Sequence, residues 1–251
     1  MSSLQKLILK IGGYQSAVLW SDPAAFDRLV WLRRNLGTGN LRVLDAGCGS
    51  GAFTFCAAKR GGEAIGISFD ERNNHEAVER ADILGLKNVK FVHTNLNQLD
   101  LLAKDLGLFD EIICFETIEH IMDDKKLLKN FCLFLKPGGH ILLTTPYKYY
   151  RHFPGDGVSE VEDGNHVRWG YTFKEMNSLL VASGFKVNKE EYVTGFISQY
   201  LCRIAKVLDR MFHNLGWFVT FPLRIFQILD KPISDLLGYP YLSICVVAEK
   251  I

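Results

Sequence analysis

A chain of 251 residues, 48% hydrophobic and 23% charged, is long enough to bury one substantial core and too apolar to be a disordered tail. A formal net charge of +1 excludes a whole-protein field for nucleic acid, so any basic surface is local. The six cysteines, spread from Cys48 to Cys245 without a C-x-x-C pair, argue against a cysteine zinc site or a disulfide framework and predict a reducing compartment.

In chain order, residues 1–40 read as an N-terminal helical segment. Its apolar stretch Leu7–Ile11 is interrupted by Lys10 and no small-residue cleavage site follows, so a secretory signal is not expected. From residue 41 short aliphatic runs alternate with longer amphipathic ones, the pattern of repeated βα units around a parallel sheet. Strands are predicted near 41–46, 63–68, 88–93, 109–114 and 139–145. Helices are predicted between them, as at 73–84, where Ala77, Ala81 and Leu84 recur at helical spacing. Lys136-Pro137-Gly138-Gly139 predicts a turn before the fifth strand. Residues 147–170 form a long aperiodic stretch, followed by a helix at 173–183, a restart at Gly184–Val187, and a last strand at 241–250.

The first strand ends in Val43-Leu44-Asp45-Ala46-Gly47-Cys48-Gly49-Ser50-Gly51-Ala52. The glycines let the backbone turn tightly where a side chain would block a ligand. They also satisfy the loose dinucleotide pattern G-x-G-x-x-A, which keeps an NAD(P)-dependent oxidoreductase in view. Asp45 separates the two readings, because a carboxylate at a strand end repels pyrophosphate but can anchor an ammonium group, such as that of S-adenosylmethionine.

Together with Asn95, Glu116-Thr117-Ile118-Glu119-His120, Lys136–Gly139 and Thr144-Thr145-Pro146 in that order, this turn resembles the class I S-adenosylmethionine-dependent methyltransferases, over about residues 40–190 plus the last strand. The resemblance implies an α/β, Rossmann-like doubly wound sheet, mostly parallel with an antiparallel last strand. It divides the chain into the 1–40 segment, a methyltransferase domain of 41–195 and 239–251, and an amphipathic helical insertion at 196–238. It implies cofactor contacts from Asp45, Gly47, Gly49, Gly51, Asn95, Leu96 and Cys114. The family carries an acidic residue at Ser68, so here a serine hydroxyl, as in the cyclopropane-synthase branch, would share the ribose with Asp70 or Asn73. Asp70 reads equally as a helix N-cap.

Glu116, Glu119 and His120 stand at i, i+3 and i+4, one face if the turn is helical. The pentad resembles E-x-x-E-H in the ubiquinone-biosynthesis O-methyltransferases and the small-RNA 2′-O-methyltransferases. It implies a divalent metal such as Mg2+ held by Glu116, Glu119, His120 and His166, which would lower the pKa of an acceptor hydroxyl. Without metal, Glu119 orders the loop and His166 or His120 acts as general base. The expected reaction is O-methylation of a small or lipid-like acceptor. A catalytically idle binding protein and an RNA 2′-O-methyltransferase are the other readings; no nucleic-acid partner is expected, and the oligomeric state is open.

The insertion opens with Ile197, Leu201, Ile204, Leu208, Met211 and Leu215 along one stripe and Arg203, Lys206, Arg210 and His213 along another. Such a helix, reaching through 197–229, suits either a membrane surface or a lid or dimer face. The chain is therefore expected in the cytoplasm, free or peripheral on a membrane.

Overall fold

The computed structural model describes residues 1, 3–19, 22–152, 156–212 and 215–251. Three helices, α1 (Ser3–Gly12), α2 (Tyr14–Leu19) and α3 (Pro23–Asn35), precede β1 (Val43–Ala46). Then follow α4 (Ala52–Ala58), β2 (Ala64–Ser68), α5 (Glu71–Leu84), β3 (Val89–His93), α6 (Ala103–Leu106), β4 (Phe109–Phe115), α7 (Asp124–Phe134) and β5 (Leu135–Pro146). The chain continues through α8 (Phe173–Ala182), β6 (Phe185–Val193), α9 (Phe196–Met211), α10 (Leu215–Thr220) and α11 (Asp230–Leu237) to β7 (Ser243–Lys250).

The seven strands make one sheet in the order β3-β2-β1-β4-β5-β7-β6. Strands β1 to β5 pair in parallel, and β7 runs antiparallel between β5 and β6. The expected doubly wound sheet is thus present, closed at one edge by the antiparallel pair. Alternation along each strand feeds two cores, one on each face. Leu44, Ile67, Ile112 and Leu143 face one, and Val43, Ala64, Ile113 and Leu142 face the other. The second face is covered by α3, whose buried Trp31 donates its indole N–H to Glu191 on β6 at 2.7 Å. Strand order reverses at β1 and β4, so the carboxyl ends of these two strands frame the crevice where a ligand enters such sheets.

The Lys136–Gly139 turn departs from expectation. Pairing begins at Phe109↔Leu135 and resumes at Glu111↔His140, so the motif is an irregularity inside an extended β5, with Gly138 at φ 72°. The predicted amphipathic helix is α9, and its apolar stripe is buried at Leu201 but exposed at Ile204 and Met211. His213, expected on its basic strip, lies outside the described residues. No helix among the described residues is long and apolar enough to cross a membrane.

Candidate active site

A cleft of about 770 Å³, counted out to open solvent, lies over the carboxyl ends of the first four strands. Its floor is the glycine turn. Gly49 sits at φ 51°, a left-handed conformation, and a Cβ there would meet no protein atom within 4 Å. The backbone is therefore bare toward the cleft, as close approach of a ligand requires. Gly47 is different: at φ 87° its added Cβ would fall 2.2 Å from Thr117 Oγ1, so this glycine lets the β1 and β4 turns touch.

Ser68, Asn73, Asn95 and Leu96 line one wall with Ile67 and Phe69. Ser68 Oγ accepts the Asp70 N–H at 3.3 Å, and Asn95 Oδ1 accepts the Asn97 N–H at 2.9 Å, so each polar side chain is held in place by the turn it starts. Asp70 itself is not part of the lining. It caps α5 through the Arg72 N–H at 2.8 Å and pairs with the Arg72 guanidinium, and these bonds lower its pKa. Asn73, one turn further, reaches the cleft instead.

Two further expected contacts lie beneath the surface rather than on it. Asp45 is buried below the turn, accepts the Thr54 hydroxyl at 2.6 Å, and has its pKa pushed up to about 7 by burial. Cys114 points into the core on the face of β4 opposite Ile113 and Phe115, and burial holds its thiol well above the ordinary range. Gly51 opens α4 as its N-cap residue, where a Cβ would strike Phe55 and Phe91.

The turn after β4 forms the opposite wall through Glu116, Thr117, His120 and Ile121. Only Ile118–His120 is helical, and it is a 3-10 turn; Glu116 stands before it at φ 47°. The expected single helical face therefore does not form. Glu116 instead accepts hydrogen bonds from the Thr144 hydroxyl at 3.0 Å and the Ser243 hydroxyl at 3.3 Å and pairs with the half-buried Arg28 of α3 at 3.4 Å. What comes together is Glu119, His120 and His166, each offering one ligand atom within 4.8 Å of the others. Glu119 is fully buried, with Oε2 accepting the Thr145 hydroxyl at 3.1 Å and no hydrogen bond to Oε1. Burial first, then the charge of Glu116, raises its pKa well above the carboxylate range. The His166 ring meets His120 edge-on at 4.7 Å, and burial and the neighbouring imidazole lower its pKa.

The long 147–170 stretch supplies His166 and is fastened across this turn. The Val167 N–H donates to the Glu119 carbonyl at 2.9 Å. Arg168 donates to the carbonyls of Ile118, Ile121 and Met122 at 2.9, 2.6 and 2.9 Å. Glu162 and Gly164 of the same loop line the cleft, and Glu162 accepts the Met122 N–H at 2.5 Å. Neither residue carried a sequence signal, because the stretch has no period and its contacts are set by Arg168. Phe69 could have been found by its place directly after β2, and Thr117 by its place two residues after β4.

Residues 38–190, more than half of the chain, match the family described as a methyltransferase domain. The ubiquinone biosynthesis O-methyltransferases of Coxiella burnetii and Leptothrix cholodnii are 28% and 31% identical to it over 126 and 119 residues. The matches span 50% and 47% of this chain. They cover 52% and 50% of those proteins, so the chain spans about half the length of the curated relatives it matches. Among solved structures, a putative sarcosine dimethylglycine methyltransferase from Galdieria sulphuraria superposes with a TM-score of 0.63 at 18% identity, covering 90% of this chain and 85% of that one. The [4+2]-cyclase SpnF superposes at 0.61 and 20% identity, covering 90% and 81%, so one fold serves more than one reaction. By its sequence match, with the sheet order and the glycine turn in agreement, this chain belongs to the methyltransferase-domain family.

Proposed function

We propose that the protein transfers a methyl group from S-adenosylmethionine to an oxygen of a small or lipid-like acceptor. One observation carries the reading: a single cleft joins the bare Gly49 backbone and the Ser68–Asn95 wall to His120 on the turn after β4. The polar groups fit the cofactor part by part. Ser68 and Asn73 suit ribose hydroxyls, Asn95 and the Leu96 backbone suit the adenine edge, and Gly49 admits the methionine end. The catalytic unit is assigned to 41–195 with 239–251.

When bound, S-adenosylmethionine supplies a methyl group already activated by its sulfonium. The chain then has to place an acceptor hydroxyl in line and take its proton. His120 lines the cleft, and His166, kept neutral by burial and by its neighbour, stands behind it as a base at neutral pH. Arg168 and Glu162 hold the loop that shields this end from water.

The orphaned Glu119 Oε1 and the buried, unpartnered His120 Nδ1 favour a second element, a divalent ion held by Glu119, His120 and His166. Two imidazoles and one carboxylate suit a borderline ion such as zinc or iron better than Mg2+, which prefers all-oxygen ligands. The three ligand atoms lie within 4.8 Å of one another, against the ~3.4 Å edge of a tetrahedron with ~2.1 Å bonds. The ion would polarise an acceptor oxygen.

Calorimetry with S-adenosylhomocysteine and with NADH tests the assignment, and binding of NADH alone would overturn it. Radiolabelled S-adenosylmethionine incubated with separate lipid, small-molecule and RNA fractions then identifies the acceptor. Label entering RNA alone would replace the proposed acceptor class.

A further inference from the structure

The segment between β6 and β7 is built inside out. Apart from Leu201, its protein-facing side is largely polar: Ser198, Thr220, Arg224, Gln227, Asp230 and Ser234 are all buried. Asp230 accepts the N–H groups of Gly195 and Ile197 at 2.6 Å each, and the Gln227 amide donates to Ser198 Oγ at 2.8 Å and to Asp27 of α3 at 3.0 Å. Its outer side is apolar. Half of the exposed large apolar side chains among the described residues fall between Phe196 and Gly238, about a sixth of the chain, led by Leu236 at 84%, Ile228 at 79% and Ile225 at 67%. In the 3-10 helix Pro222–Leu229, residues three apart eclipse, so Ile225 and Ile228 form one outward row while Arg224 and Gln227 form a buried one.

In water this arrangement is unfavourable on both sides, since polar groups lose solvent and apolar groups keep it. It becomes favourable when the outer face is covered by something other than water. The charges narrow the choice. Asp230 is turned inward and the exposed Asp209 carboxylate accepts the Gly216 N–H at 2.8 Å; Arg210, Lys206 and Lys231 lie on the exposed side, Lys206 paired with Asp156 at 3.5 Å and Lys231 with Asp235 at 3.4 Å, so cations outnumber exposed acids by three to two on the segment. An apolar face bordered by cations, with Trp217 stacked on Phe221 at 4.8 Å, matches an interfacial element on anionic lipid. The pieces are too short to span a bilayer and so would lie on it.

We infer that the 196–238 segment docks on an anionic bilayer surface. The contact also has a position relative to the cleft. Arg203 of α9 donates to the Arg151 carbonyl at 2.9 Å and Lys206 pairs with Asp156 at 3.5 Å, gripping the loop that carries His166. Docking would therefore set that loop beside the headgroup layer. The inference does not require methyl transfer, and its test reads binding alone.

The full chain is floated at low salt with vesicles of phosphatidylcholine alone and with phosphatidylserine added. Expected is recovery with the anionic vesicles, roughly tenfold or more above the neutral ones. Ile225→Asp with Ile228→Asp should lose vesicle binding while keeping the thermal unfolding transition and monodispersity. Should that pair disturb folding, Arg210→Glu with Lys231→Glu supplies the same test through charge. Absence of wild-type flotation overturns the inference, as does flotation unchanged in both variants. So does a concentration-dependent dimer that the Ile variants dissolve without any vesicle binding, which would identify a second copy as the occupant.

Discussion

Replacing Asp45 with Asn isolates one buried charge beneath the glycine turn. The carboxyl is fully buried, accepts one hydrogen bond from Thr54, and has its pKa raised from 3.8 to about 7 by desolvation. A carboxyl whose folded value lies above its unfolded one folds as the acid. Its contribution is fully present below pH 3.8 and is lost as pH rises toward 7. Three pKa units at 1.36 kcal/mol each make the loss about 4 kcal/mol. The Asn variant keeps an oxygen for Thr54 and has no proton to lose, so its stability should not fall through that window. Urea unfolding of both proteins at several pH values between 4 and 8 measures the difference. Expected is a gap that widens in favour of the variant with rising pH and levels off above 7. A gap that stays constant would refute the burial argument and put Asp45 in contact with solvent or a cation. Asp27, also raised to about 7 by burial, acts in the same direction in both proteins and cancels in the comparison.

The two glycines of the turn should separate folding from binding. Gly49→Ala meets open space and should cost only the ~1–2 kcal/mol of a left-handed alanine, yet lower S-adenosylhomocysteine affinity at least tenfold in calorimetry. Gly47→Ala drives a methyl group into Thr117 and should lower the thermal transition further, whether or not ligand is present. Arg168→Ala removes three carbonyl contacts and should destabilise by about 2–3 kcal/mol while raising KM more than it lowers kcat. If the ion proposal holds, metal analysis after expression finds up to one equivalent, lost on chelation and in His166→Ala; metal-free protein with unchanged transferase activity would sink it.

The sheet was legible because its strands are aliphatic runs punctuated by glycine and because the family motifs fall at their ends. What the motifs alone could not supply was side-chain direction. Cys114 lies one residue from Phe115, and the period of two in β4 sends one to each core. Glu116 was grouped with Glu119 and His120 on a helical spacing, but its positive φ turns its side chain toward Arg28, a partner 88 positions upstream that no local pattern reveals. The amphipathic stripe of α9 could be drawn from the sequence, though not which side faces the protein. Buried Ser198, Gln227 and Asp230 answer that through contacts with α3 and the end of β6.

The place of β7 has a kinetic consequence. Strand β5 carries a fully buried edge from Ile141 to Thr145, and the pairing it needs comes from residues about a hundred positions later, after the whole inside-out segment. Until those residues arrive, β5 and β6 each present an unpaired, aggregation-prone edge, and the apolar outer face of 196–238 is exposed beside them. Closure by β7 is therefore expected to be the slow, concentration-sensitive event in refolding, which refolding rates measured across a range of protein concentrations would show.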